Sequence, residues 1–269
     1  MKKILALTLI AALSLLALTS CNVSFYEIDD HTRYAKGGGT VTEAVDKIDV
    51  EWIAGQVDIK YHGDSTVLFY EESNRSLDDK TSMYHYFDGR TLHIKFYRHG
   101  MHVASVPEKT LTIFLPQSMM PSDIDLELVS SDLSVEGVKL ASLDIECVSG
   151  DISLYDVEIG DIDVEMVSGD IKALTTGEIG SFDIEMVSGD INLEFESAPK
   201  SLDIETVSGD TLITHPESDG VTLGFESISG EVSYDLAFTK NGRLYVLGDG
   251  SARYSIESTS GNVEIKKKQ

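Results

Sequence analysis

Two cysteines in 269 residues, Cys21 and Cys147, exclude a disulfide framework. Arginine is absent from residues 121–235, where three lysines (Lys139, Lys172, Lys200) face 28 Asp and Glu. That stretch therefore carries the entire formal charge of −25, because the rest of the chain holds 18 acidic and 18 basic residues. Such a field repels nucleic acid and anionic membrane, so nucleic-acid binding is excluded. Only five prolines occur, none inside the central repeats described below. Helical periodicity is missing after residue 40. Catalytic signatures are missing too: there is no Gly-x-Ser-x-Gly, no His-Glu-x-x-His and no phosphate loop.

What the chain does have is a twelve-residue unit that keeps returning. Leu143-Asp144-Ile145-Glu146-Cys147-Val148-Ser149-Gly150-Asp151-Ile152-Ser153-Leu154 recurs from Ile162, from Phe182 and from Leu202. Weaker copies run from Ile124, Leu223 and Tyr254, and an outlier from Ile48. From Ser131, which stands at the glycine position, to Gly230 the spacings are 19, 19, 20, 20 and 21 residues. Gly261 follows after a gap of 31. A fixed period near twenty indicates a stacked repeat.

Within a unit, Leu143, Ile145 and Cys147 share one face and Asp144 and Glu146 the other, the strand period. The phase shifts at Ser-Gly, so Ile152 and Leu154 point inward beyond a corner. The same alternation marks Val67 and Phe69, then Leu92, Ile94 and Phe96, then Leu111, Ile113 and Leu115. The expected fold is all-β: a β-solenoid with about 20 residues per coil. The alternative is an antiparallel meander in which each Ser-Gly is a hairpin turn. In the solenoid, Asp144, Asp163, Asp183 and Asp203 lie about 4.8 Å apart. Unit charges at that distance repel by roughly 1 kcal/mol even in water. Glu146, Glu165, Glu185, Glu205 and Glu226 form a second such row.

The amino terminus reads as an address. Met1-Lys2-Lys3 precedes the apolar run Ile4–Leu18, which is short for a bilayer span but suits a signal peptide. Leu18-Thr19-Ser20-Cys21 then resembles a bacterial lipobox, which implies cleavage before Cys21, lipidation of its thiol and anchoring to a membrane outside the cytoplasm. The expected organisation is a signal peptide over 1–20 and a flexible tether over 21–46 containing Gly37-Gly38-Gly39. A divergent N-terminal β region follows over 47–120 and an acidic array over 121–269, with 47–269 forming one β domain.

The Thr110-Leu111-Thr112-Ile113-Phe114-Leu115-Pro116 strand and the Val148-Ser149-Gly150-Asp151-Ile152 type of repeat, over residues 45–265, resemble a known family. It is the “putative adhesin” family of bacterial surface proteins, a domain of unknown function. The resemblance implies an all-β solenoid-like scaffold and transfers no catalytic residue.

Candidate sites follow from this frame. Asp144, Asp163, Asp183 and Asp203 are weak calcium candidates, since a flat row offers one carboxylate per coil and no enclosing loop. A solvated negative face with loosely held divalent cations is the simpler reading, and no cofactor is implied. The stretch 84–102 gathers four of the seven histidines with aromatics and cations. As strand-turn-strand it turns His93, Lys95 and Tyr97 outward, and with Tyr84, Tyr86 and Arg98 these form a possible contact surface or a capping hairpin. Lys266-Lys267-Lys268 is expected to protect an open sheet edge. The function expected is non-catalytic: an adhesin-like or scaffold domain contacting an envelope protein or glycan. The competing class is a carbohydrate-active lyase or hydrolase on a β-helical fold.

Overall fold

A computed structural model describes residues 33–97, 106–117 and 121–269. The lipobox with Cys21 and the cation Arg98 lie outside the described residues. Those described form 22 strands and no helix, joined into one sheet system.

Successive copies pair in parallel and in register. Asp163 lies opposite both Asp144 and Asp183, and Ile171 opposite both Ile152 and Ile191. Parallel pairing of consecutive copies requires a solenoid and overturns the meander, in which neighbours would run antiparallel. Each coil has a strand before the Ser-Gly corner and a strand after it. Their inward residues, such as Ile145 and Ile152, are 1% and 0% exposed and meet in a single core. Val138, Val157 and Ile179 in the connections are buried as well and close the remaining side. One inward column runs Trp52, Leu128, Cys147, Met166, Met186, Thr206, Ser258, Ser227. Cys147 is thus a core residue, and burial pushes its thiol up to about 12.

The order of coils in space differs from their order in the chain at both ends. Strand Lys47–His62, the outlying copy, stacks directly on Asp123–Glu136. Thr91–Lys95 and Lys109–Pro116 stack on its other side as a further coil. At the far end, Ala252–Ser260 lies between Ser201–Ser208 and Val221–Ser229. The last copy is inserted between the two before it. The 31-residue interval before Gly261 is therefore not one stretched coil. The chain lays down the terminal coil, turns through the hairpin Thr239–Asn241 and Leu244–Leu247, and returns into the slot left open. Glu226 consequently neighbours Glu257 and not Glu205.

The corner explains the repeat's most constant letters. Gly150, Gly169, Gly189, Gly209 and Gly261 all have φ between 130° and 145°. A Cβ on Gly209 would sit 1.8 Å from the carbonyl oxygen of Gly189, so the column closes only on glycine. The next residue makes a second ladder. The Asp132 carboxylate accepts from the Asp151 N–H, Asp151 from Asp170, Asp170 from Asp190 and Asp190 from Asp210, each at 2.9 Å. Asp210 accepts from the Asn262 N–H at 2.7 Å, as the inserted coil requires.

Two other expectations change. The segment from Arg33 to Asp46, read as tether, is folded onto the body. Ala35–Lys36 and Gly39–Val41 pair with Tyr84–Asp88 and Val67–Ser73, and Val45 is 1% exposed. The C-terminal strand Val263–Lys267 is no edge, because Thr211–His215 and Val232–Tyr234 flank it. Its lysines instead meet acids of neighbouring coils, with Lys268 Nζ 2.6 Å from Glu196 and Lys267 Nζ 2.5 Å from Glu217.

Candidate interaction surface

The strands before the corner present three outward columns. The first is His93, Asp49, Asp125, Asp144, Asp163, Asp183, Asp203, Ser255. The second is Lys95, Glu51, Glu127, Glu146, Glu165, Glu185, Glu205, Glu257, Glu226. Beside the corner runs an aliphatic stripe in which Val129 and Val148 are exposed and Val167, Val187 and Val207 half-buried. Alternation forces this pattern: with Ile145 and Cys147 committed to the core, Asp144, Glu146 and Val148 must face out.

The cations of the hairpin cap this face at one end. Tyr84–Asp88 and Thr91–Lys95 pair antiparallel, as the sequence suggested. His93 Nδ1 is 2.7 Å from Asp49, Lys95 pairs with Glu51, and Lys47 pairs with Asp125. Tyr86 stacks flat on His93 at 4.3 Å, and Arg33 lies over the Tyr86 ring. The surface foreseen there divides. His93, Lys95 and Tyr86 lie on the outer side, but Tyr84 and Tyr97 are only 4% and 7% exposed. Tyr97 lies beyond the end of the strand at Lys95, where alternation no longer applies, and its ring packs edge-on to Phe96 at 5.8 Å.

Away from those cations the carboxylates crowd one another. Partial burial, then the neighbouring carboxylates, push Glu165, Asp183 and Glu205 above their ordinary values of 4.5, 3.8 and 4.5. The folded chain thus holds protons here that the unfolded chain has already released. Stability falls as pH rises through the window above those ordinary values. Bringing the protein from pH 7 toward pH 5 should raise its melting temperature, about 2–4 °C per kcal/mol recovered. Added salt at pH 7 should do the same by screening. A melting temperature that fell on both treatments would mean the columns do not repel.

Among the described residues no three His, Cys, Asp or Glu side chains converge to hold a metal ion. Asp144, Asp163, Asp183 and Asp203 lie on successive strands of one flat face, one carboxylate per coil. An open cleft of about 710 Å³ lies at the corner near the N-terminal end, lined by Gln56, Glu72, Asn74, Glu108 and Asp132 among others. No aromatic ring is among its described lining residues.

Sequence reasoning passed over one buried charge. The Lys109 side chain is fully buried, and its Nζ is 2.7 Å from Glu71 and 2.9 Å from the Thr81 carbonyl, which accepts from it. The Phe96 carbonyl accepts as well, and the ammonium sits 3.9 Å from the Phe96 ring centre and 4.8 Å from that of Trp52. Burial lowers its pKa to about 8 against the opposing pull of Glu71. This group fastens the N-terminal cap to the core.

A family profile described as Toastrack DUF4097 matches residues 44–174 and again 117–266. No curated protein shows a significant match. Among solved structures, a “putative adhesin” from Bacteroides fragilis NCTC 9343 is 13% identical with a TM-score of 0.51, covering 88% of this chain and 97% of that one. A “putative cell adhesion protein” from Clostridium sporogenes ATCC 15579 is 16% identical with a TM-score of 0.43, covering 87% and 100%. A “putative lipid binding protein” from Parabacteroides distasonis ATCC 8503 is 13% identical with a TM-score of 0.45, covering 91% and 100%. At such identities the first of these is a likeness of fold.

Proposed function

Since the chain belongs to the Toastrack DUF4097 family, we propose that it is a non-catalytic, adhesin-like or scaffold domain of the cell envelope. In this reading it is held to a membrane through lipid on Cys21 and engages its partner along the acidic face. The observation that carries the reading is the repetition of that face. Each coil from Asp125 to Val207 offers the same Asp, Glu and Val at the same height, so a partner meets a periodic surface and not a unique pocket. Catalysis by paired carboxylates needs two acids with different environments at one spot. A face of equivalent acids suits multivalent contact with a basic, extended partner. Absence of aromatic rings from the described corner cleft favours an envelope protein over a glycan.

The test has two arms. Full-length chain and a Cys21→Ser variant are compared by cell fractionation, with the variant expected to leave the membrane fraction. Envelope extract is then passed over immobilised protein and over a Glu146→Gln, Glu165→Gln, Glu185→Gln variant. Salt-sensitive retention of a basic envelope protein by the first and its loss by the second is the expected result. Equal retention by both would overturn the assignment of the face.

A further inference from the structure

The two ends of the stack are finished differently. At the N-terminal end, Tyr84–Asp88 runs antiparallel outside Thr91–Lys95, and Val67–Ser73 outside Lys109–Pro116. Beyond these, among the described residues, Ala35–Lys36 covers Tyr84 and His85, and Gly39–Val41 covers Val67–Phe69, strands of two and three residues. At the C-terminal end, Leu244–Leu247 covers only Val221–Gly224 of the last coil. Among the described residues, no strand pairs with the outer side of Phe225–Ser229 or of Val232–Tyr234.

That open edge is apolar. Ile228 is 77% exposed, against 39% for Val148, its counterpart in the interior of the stack. Leu244 and Tyr234 are 43% and 38% exposed. Tyr234 packs on Phe238 at 5.1 Å and on Tyr245 at 5.7 Å, so its ring is held in place beside the edge. The same end carries both signs of charge: Lys240 and Arg243 in the hairpin, Glu226, Glu231 and Asp235 in the coil. Arg243 is 92% exposed and 3.8 Å from Glu226.

We propose that this end is a dimer interface, in which two copies of the chain meet about a two-fold axis along Phe225–Tyr234. Edge strands related by a two-fold axis run antiparallel and satisfy each other's backbone groups. Ile228 and Tyr234 of each copy are covered, and Lys240 and Arg243 face Glu231 and Asp235 of the other. A two-fold interface uses the same edge of both copies and leaves no second such edge for a third chain. The charge of −25 borne by residues 121–235 opposes side-by-side packing. The pairing is therefore closed at two, and it displays two acidic faces from one unit.

Light scattering on the full chain carrying Cys21→Ser, across the micromolar range, reads the outcome. A concentration-dependent dimer is expected. Ile228→Glu and Tyr234→Glu should each weaken it at least about tenfold, or 1.4 kcal/mol, with far-UV circular dichroism unchanged. Val148→Glu, the same corner position within the stack, should leave it intact. A monomer at every concentration would overturn the proposal. So would a dimer indifferent to both end variants, or one lost equally in Val148→Glu.

Discussion

Gly209→Ala should destabilise the folded body by about 3–5 kcal/mol, the range of backbone strain joined to a steric clash. Two costs coincide there. Gly209 has φ +130°, a conformation L side chains rarely adopt, and the added Cβ would lie 1.8 Å from the Gly189 carbonyl oxygen. That oxygen belongs to a stacked backbone and has no freedom to withdraw. Gly242 is the control: its φ is +64°, yet nothing lies within 4 Å of a Cβ placed on it. Gly242→Ala should cost only the left-handed penalty of about 1–2 kcal/mol. Urea unfolding of the two variants beside wild type separates the effects. Because each coil contacts only its neighbours, the damage at Gly209 should also broaden the transition as the two halves uncouple. Equal losses in the two variants would show that the corners are not stacked on one another.

Lys109→Met should cost a similar 3–5 kcal/mol, the typical price of stranding one partner of a buried ion pair. Glu71 would keep the Met83 N–H it accepts at 2.8 Å but lose the ammonium 2.7 Å away. Lys109→Met with Glu71→Leu removes both charges and should recover most of the loss. The pair also leaves a pH signature. With its pKa lowered to about 8 from 10.5, Lys109 sheds its proton in the folded chain before the unfolded chain does. Stability of the native protein should therefore rise between about pH 8 and 10.5, with the slope of one proton. Subtracting the Lys109→Met curve isolates that contribution. Curves that run parallel through this interval would place Lys109 in water.

The repeat was legible because its information is local. Ile145 alternating with Glu146, and glycine at the phase shift, define inside, outside and corner within a dozen residues. The outward acids and the buried Cys147 follow from the same alternation. What the alternation could not carry was which coil lies beside which. Tyr254–Ile265 stands last in the chain but inner in the stack, and local pattern is blind to that exchange. The signal that existed was the 31-residue interval before Gly261, which holds Asn241-Gly242, a strong hairpin turn between short apolar runs. Lys109 and Glu71 are 38 residues apart, and nothing near either one announces a partner. The Asp151 type of acid, just beyond the corner, carries no mark of its partner in the sequence. Its bond to the next coil's N–H depends on stacking, which only three dimensions display. The glycine triplet at 37–39 resembled a tether, yet a Cβ on Gly38 would lie 2.3 Å from the Phe69 carbonyl oxygen. There, glycine marks close approach and not freedom.

The stack at the C-terminal end rests on the order of its coils, with the last copy inserted between the two before it, and cysteine pairing tests that order directly. In a chain with Cys21→Ser and Cys147→Ala, Asp203→Cys is combined with Ser255→Cys or with Gly224→Cys. Residues on adjacent strands are about 4.8 Å apart, within disulfide reach. Two strands apart they are about 9.6 Å, beyond the roughly 7 Å limit. Mild oxidation should close the Asp203→Cys, Ser255→Cys pair and leave the other open. A bridge in the Asp203→Cys, Gly224→Cys chain instead would mean that the coils stack in chain order and that Glu226, not Glu257, lies beside Glu205.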